Sequence, residues 1–374
     1  MTKPPALQKD LNQIEKAREL PSSSDIAEVS KASGISPFKL MGDFRKLKRA
    51  PGKLEFGEYL KYQLYDRERY SDEERKRFIS AYQHWDWFAD TTELDWWTIT
   101  EDKWVSSTLL KGAGLPTPKT AAVVDTTTRE YPDTQVLRNA DDVAKFLSVK
   151  KNLPIFAKSQ SSMWSAGAFV IEKADKAGVT VKGEAKLGYK EFFDSYIGET
   201  PFIFQEQVQP HKFFDGVTEA IATIRTFNLI KKDGSLFNPF AVLKLPLGPS
   251  IADNFWRDEN LVCAVDVETG KILTLVGSEK MNYVQHEALP GSKRKMIGET
   301  IPMWKEIQKL NQTVAMMHHD VKYGSTDIGL SKDGPIVIEV NCGSAFELAQ
   351  IATGKGFLTD EVISFFKEYG SKRV

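Results

Sequence analysis

The chain has 374 residues, of which 41% are apolar and 27% charged, with a formal net charge of −1. That length accommodates two or three domains with large cores, and the near-neutral balance argues against nucleic acid or an anionic membrane as the main partner. Only two cysteines occur, Cys263 and Cys342, so there is neither a disulfide framework nor a zinc-ligand spacing. The opening MTKPPALQKDL lacks the apolar core of a signal peptide, and no run approaches the roughly 20 apolar residues needed to cross a bilayer. The expected address is the cytoplasm.

Residues 1–98 read as a mainly helical region. Leu7 to Leu20 carries apolar residues at helical spacing and is closed by Pro21; Ser24 and Asp25 cap a short helix ending near Gly34; Ser36-Pro37 opens another that stops before Pro51-Gly52. Ser71 to Glu74 has the form of a capping box ahead of a helix running to about Gln83. The cluster Arg45, Lys46, Lys48, Arg49 and Lys53 reads as the solvated face and exit of a helix. With no basic domain around them, the helices flanking Gly34 are not read as a DNA-binding pair. Trp85, Trp87, Phe88, Trp96 and Trp97 sit among acidic neighbours and read as a hydrophobic seam to the next domain.

Residues 99–204 alternate short helices and strands. Glu101-Asp102 begin a helix running to Gly112, TAAVVD is a strand, Asp141 to Val149 a helix, PIFAK a strand ending at Lys158, and AFVIEK and VTVKG two more, before a helix from Tyr189 to Tyr196. This pattern indicates an α+β subdomain rather than a bundle or a doubly wound sheet. From Phe202 the chain is strand-rich: FIFQEQV, ATIRTFNLIK, FNPFAVLKLPL, NLVCAVDV and KILTLVG form a mostly antiparallel meander. A helix from Pro302 to His318, the segment STDIGLSKDGPIVIEVN, and two helices, Ala345 to Thr353 and Thr359 to Tyr369, complete residues 205–374.

STDIGLSKDGPIVIEVN reads as a β-hairpin. Glu339 and Asn341 are two apart on one strand and share a face, and a three-residue loop at Lys332 to Gly334 would set Asp327 opposite Glu339. A two-residue loop would set Asp327 opposite Val340 and scatter the three oxygen donors. Gathered on one face, they suit a hard cation such as Mg2+ carrying phosphate oxygens; a half-buried hairpin with a polar outer face fits the same residues. Three cations upstream fit phosphate binding. Lys158 ends a strand before the small-residue loop SQSSMWSAG, Arg225 lies within the strand TIRTF, and Lys103 stands in the first turn of a helix, where an anion would balance it. No P-loop, dinucleotide-binding glycine motif or nucleophile–base pair is present. Cys342 reads as a close-packed small residue, and His318-His319-Asp320 as a helix end with capping and exposed side chains.

The order Lys103, Lys158, FIFQEQV, Arg225, Asp327, Glu339, Asn341 resembles the ATP-grasp superfamily. Together with TIRTF, Asp253-Asn254-Phe255, VETGKI and ETIPMW it is similar to the sugar-transfer-associated branch, over roughly Thr100 to Leu358. The resemblance implies an α+β fold in which two α+β subdomains clasp ATP, here preceded by the mainly helical N-terminal region. It implies that Lys103 and Lys158 hold ATP phosphates, Gln205, Glu206 and Val208 meet the adenine edge, His211 reaches the ribose, Arg225 faces the transferred phosphoryl group, and Asp327, Glu339 and Asn341 bind two Mg2+ ions, for which Mn2+ substitutes. The implied chemistry is an ATP-dependent ligation of a carboxylate to an amine through an acyl phosphate, with Lys244, Asn254 and Arg257 as candidates for carboxylate or intermediate binding. A phosphotransferase and a non-catalytic nucleotide-binding scaffold are the competing expectations. The loop after Lys158 is richer in serine than the family pattern, and the N-terminal region departs from the open α/β domain of many members.

Overall fold

A computed structural model describes residues 3–248, 250–257 and 259–374; Met1 and Thr2 of the N-terminal region lie outside them. Among the described residues no helix is long and apolar enough to cross a membrane. The strands form two sheets. The first contains β1 (Thr120–Val124), β2 (Val136–Leu137), β3 (Ile155–Ser159), β4 (Phe169–Asp175), β5 (Gly178–Val181) and β6 (Phe202–Glu206), in the order β2-β1-β6-β3-β4-β5. The second contains β7 (Thr223–Ile230), β8 (Leu236–Phe237), β9 (Ala241–Leu245), β10 (Leu261–Val265), β11 (Val276–Ser278), β12 (Tyr283–Gln285), β13 (Tyr323–Ser331) and β14 (Gly334–Cys342). Its order is β12-β11-β10-β9-β7-β13-β14, with β8 pairing β7.

FIFQE therefore belongs to the first sheet, between β1 and β3, and not to the meander expected from Phe202 onward. A boundary drawn at residue 204 divides that strand. The expected strand KILTLVG shrinks to β11, because Ile272 bridges Val265 while Thr274 turns its hydroxyl onto the Ala264 N–H. Buried Val, Ile and Phe at alternate positions of β1, β3 and β6 pack against helix Ala140–Leu147, whose Val143, Phe146 and Leu147 face the sheet. Helix Trp304–Met317 covers one face of the second sheet.

The other face of the second sheet is covered by N-terminal and C-terminal helices together. Leu7, Ile14, Phe44, Tyr59, Trp87 and Phe88 share one core with Phe227, Val242, Phe346 and Phe366. The Trp87 ring meets Phe366 edge-on at 4.6 Å. The expected seam is thus real for Trp87 and Phe88, with Trp85 and Trp96 packed part-buried against the same core, while Trp97 stacks on Trp85 nearer the surface. Ser71 caps its helix with Glu74 reciprocating, but that helix stops at Lys76 instead of continuing to Gln83. A tertiary contact wins over local propensity there. Gln350, fully buried on helix Glu347–Thr353, accepts from the Ile79 N–H at 2.8 Å and donates to the Ile79 carbonyl at 2.8 Å, so the segment is held extended as a strand partner would hold it. The helix expected from Glu101 starts at Lys103, since Asp102 accepts from the N–H groups of Trp104 and Val105 as its cap.

The Gln350 side chain also accepts from the Phe357 N–H. Gln350→Leu orphans these buried backbone groups, and at about 1–3 kcal/mol for each unsatisfied group the expected loss of stability in urea unfolding is about 3 kcal/mol. A loss below about 1 kcal/mol would show that the extended segment stands without it.

Candidate active site

Asp327 sits on β13 between β7 and β14 and is 1% exposed. In register it faces Arg225 on one side and Glu339 on the other. Its carboxylate accepts from Arg225 Nε at 2.7 Å and Nη2 at 2.8 Å, and from Lys244 Nζ at 2.7 Å. Lys244 also lies 2.8 Å from Asp253, whose carboxylate accepts the Thr223 hydroxyl. Burial alone would raise the Asp327 carboxyl, but the charges and hydrogen bonds of Arg225 and Lys244 override it and hold the group well below the usual carboxylate range. Burial likewise opposes the Lys244 ammonium, and Asp253 and Asp327 more than offset it.

The expected juxtaposition of Asp327 and Glu339 is present, though by another route. Ser331 pairs Gly334, so the loop has two residues, Lys332 and Asp333, and not three. A β-bulge then follows: Ile328 pairs Val337 and Asp327 pairs Glu339, which leaves Ile338 as the extra residue. The bulge restores the register that the tighter turn would have lost.

Lys103 and Lys158 come from the other side. Lys103 Nζ donates to the Ser162 carbonyl at 2.6 Å and lies 3.4 Å from Glu339 Oε1. Lys158 ends β3, and its ammonium makes no hydrogen bond or ion pair among the described residues. Burial pushes it down to about 8, Glu339 acting against the shift and Lys103 adding to it. Four cations thus face three carboxylates, Asp253, Asp327 and Glu339. The surplus positive charge is of the kind a polyphosphate neutralises.

Two cavities meet at this cluster. The first, about 830 Å³, runs between the sheets from Lys158 to the segment Gln205–Val208 and has apolar walls that include Phe156, Ile221, Ile251 and the bulged Ile338. The second, about 970 Å³, opens toward the N-terminal region and is lined by Trp85, Trp97, Glu101, Asn341 and Glu347 among others. Lys103, Lys244, Asp253 and Glu339 belong to both walls. Asp253, only quoted within a motif at the sequence level, is a central member, and its neighbour Asn254 was the visible signal.

Glu339 and Asn341 both line the second cavity, and among the described residues the Asn341 amide makes no hydrogen bond, which leaves its Oδ1 free to coordinate. The Glu339 carboxylate, paired with Lys103 at 3.4 Å, and the Asn341 amide oxygen suit a hard cation that keeps most of its ligands as water or phosphate oxygen. Among the described residues no three acidic, His or Cys side chains converge as a closed metal cage. Asp327 Oδ2 accepts from both Arg225 and Lys244, while Oδ1 accepts only from Arg225 Nε and keeps a lone pair with which Asp327 would reach a metal.

Two substrate candidates turn out to hold a loop. The Asn254 amide donates to the Trp164 carbonyl, and Arg257 donates to the Ser165 carbonyl at 3.2 Å and to Asp10 at 2.7 Å. Asp10 in turn accepts from the Gly167 N–H at 2.6 Å. Trp164 and Ser165 have φ of 60° and 53°, a region that costs non-glycine residues of order 1–3 kcal/mol each. These fasteners offset that cost in a loop where glycine would need none. His211 accepts from the Phe213 N–H through Nδ1, capping a short turn, and lies outside the lining of the first cavity. His318, expected to be exposed, is buried with Nδ1 against the Val314 carbonyl; Cys342 is buried, as expected of a packed small residue.

Lys158 yields a sign-defined pH effect. Above about pH 8 it is largely neutral in the free protein, so a polyphosphate bound beside it must draw a proton onto it. Nucleotide affinity should therefore fall as pH rises through 8, with uptake of roughly half a proton at pH 8. Calorimetry in buffers of different ionisation enthalpy measures the uptake. Lys158→Arg should abolish it, and unchanged uptake in that variant would refute the assignment.

The family described as sugar-transfer associated ATP-grasp matches residues 93–363. Similar solved structures include D-alanine–D-alanine ligase from Helicobacter pylori, at 10% identity over 72% of this chain and 60% of that one, TM-score 0.40. Another is VanG D-Ala:D-Ser ligase from Enterococcus faecalis, at 14% identity over 71% and 61%, TM-score 0.38. Biotin carboxylase from Campylobacter jejuni aligns at 11% identity over 73% and 50%, TM-score 0.37. The aligned part spans about half to three fifths of the length of these three structures. Among curated protein sequences none matches. With most of its length matched by that one family, this chain belongs to the sugar-transfer-associated ATP-grasp family.

Proposed function

We propose that the protein is an ATP-dependent ligase that joins a carboxylate to an amine through an acyl phosphate. The observation that carries this reading is the pair of cavities sharing a wall of Lys103, Lys244, Asp253 and Glu339. One cavity has the apolar walls and peptide edge that suit a nucleobase, the other has room for an acceptor, and the charged groups lie between them.

In the first step a substrate carboxylate oxygen attacks the γ-phosphorus, the bond to the β–γ bridging oxygen breaks, and ADP leaves. In the second the amine nitrogen attacks the acyl carbon, the bond from that carbon to the phosphate oxygen breaks, phosphate leaves, and the nitrogen gives up a proton. The adenine would lie between Phe156 and Ile338, its edge met by backbone groups of Glu206 or Val208. Lys103 and Lys158 hold the phosphates, and Arg225 with Lys244 neutralises charge on the transferred group. Glu339 and Asn341 would hold Mg2+ (or Mn2+ in its place), which supplies further neutralisation of the phosphate oxygens. No protein nucleophile takes part: Cys263 and Cys342 are buried, and burial pushes the Cys342 thiol up to about 11.

Glu339→Ala and Lys158→Ala should each lower ADP formation at least about 100-fold while the circular dichroism spectrum and thermal midpoint stay near the parent's. A screen of carboxylates and amines, read by ADP, phosphate and product mass, should give phosphate equal to ADP and an amide. A stable phosphorylated product with no phosphate released would instead assign a phosphotransferase, and parent-like turnover in either variant would remove the site.

A further inference from the structure

We propose that the second cavity is the acceptor pocket and that it selects a primary amine, recognised as its ammonium form by the Glu101 carboxylate and the indole face of Trp97, the ammonium passing one proton to Glu101 before its nitrogen attacks the acyl carbon. This rests on the ligase reading above and deepens it, since it names the acceptor's charge and assigns the N-terminal region a share in its recognition.

The first argument is charge. Four carboxylates line the cavity, and three are already matched: Asp253 by Lys244 at 2.8 Å, Glu339 by Lys103 at 3.4 Å and Glu347 by Arg18 at 3.1 Å. Glu101 forms no ion pair among the described residues and accepts only the Trp97 Nε1–H, at 3.0 Å. An acid with one neutral donor in a partly enclosed site is the complement of a cation.

The second argument is the aromatic wall. Trp85 and Trp97 stack at 4.6 Å and 29°, and Trp97 is 37% exposed although it lines a cavity beside a large core. Arg18 already covers the Trp164 ring at 4.3 Å and the Trp256 ring at 5.4 Å, and Trp85 is packed by Trp97, by His84 at 4.8 Å and by Phe88 at 5.9 Å, which leaves Trp97 as the open indole of the wall. An ammonium over an indole face gains about 0.5–2 kcal/mol, and a carboxylate at its edge fixes the direction of approach.

The third is unspent polar capacity. Ser344, 2% exposed, has an Oγ without a hydrogen-bond partner among the described residues, as does Ser162, and both line this cavity. Such atoms are costly unless something bonds them, and the acceptor's polar substituents would. Position agrees as well. Helix Trp97–Glu101 packs on the end of β14, where Cys342 Sγ donates to the Trp96 carbonyl at 3.6 Å, so Glu101 lies beside the strand that carries Glu339 and Asn341 and two residues before Lys103.

The test is equilibrium binding to the full chain without nucleotide, using 1,4-diaminobutane and 2-aminoethanol against their neutral counterparts 1,4-butanediol and ethylene glycol, read by calorimetry and tryptophan fluorescence. The amines should bind saturably and the diols should not. Glu101→Gln should weaken amine binding at least tenfold and Trp97→Ala at least fivefold, with thermal midpoints near the parent's. Equal binding of the diols, amine binding unchanged in Glu101→Gln, or no saturable amine binding would overturn the proposal. Binding is read without turnover, so the two failures separate. Amine binding with no ADP formation from any acceptor would sink the ligase reading alone, and ADP and phosphate release without amine binding would sink the pocket alone.

Discussion

The burial of Asp327 between Arg225 and Lys244 is the constraint on which the rest of the site depends. Three strands converge there: β13 supplies the carboxylate, β7 and β9 the cations. Removing one partner of such a buried pair typically costs about 3–5 kcal/mol, because a charge is left without compensation in a poorly polarisable interior. The strand order that keeps β7 beside both β9 and β13 is therefore held by electrostatics as well as by the apolar residues around it. The same pairing leaves Lys103, Lys158 and Glu339 at the edge of the cluster, where cavity space begins.

A second dependence runs through the N-terminal region. It shares a core with the second sheet and the C-terminal helices, and its first helix reaches the loop after Lys158 through Asp10 and Arg18. The loop carries two non-glycine residues in left-handed conformations, so it keeps its shape only because Asn254, Arg257 and Asp10 fasten it. The departure noticed in sequence, serine where glycine is usual, thus has a structural counterpart outside the loop itself.

Much of the site was legible because its residues lie at strand ends and alternate positions. Lys158, Arg225, Glu339 and Asn341 could be placed from periodicity, and their order along the chain pointed to the fold. What stayed hidden depends on pairing between distant segments. The two-residue turn and the compensating bulge at Ile338 cancel, so the correct juxtaposition of Asp327 with Glu339 followed from an incorrect turn. Nothing local marks Gln350 as the group that breaks the helix after Lys76, or Asp10 as the partner of Arg257. The placement of FIFQE was missed because a strand's alternation says nothing about which sheet receives it. Trp97 read only as part of the hydrophobic seam for the same reason: composition shows apolar surface and not whether a cavity lies against it.

On the proposed reading, phosphoryl transfer happens where the two cavities meet. A crystal structure with Mg2+ and a non-hydrolysable ATP analogue tests it most directly. The base should lie in the cavity bounded by Phe156 and Val208, with the terminal phosphate within hydrogen-bonding distance of Lys103 and Lys158 and facing Trp97 across the shared wall. A triphosphate that runs away from Lys103 and Glu339, or a nucleotide seated in the second cavity, would contradict it.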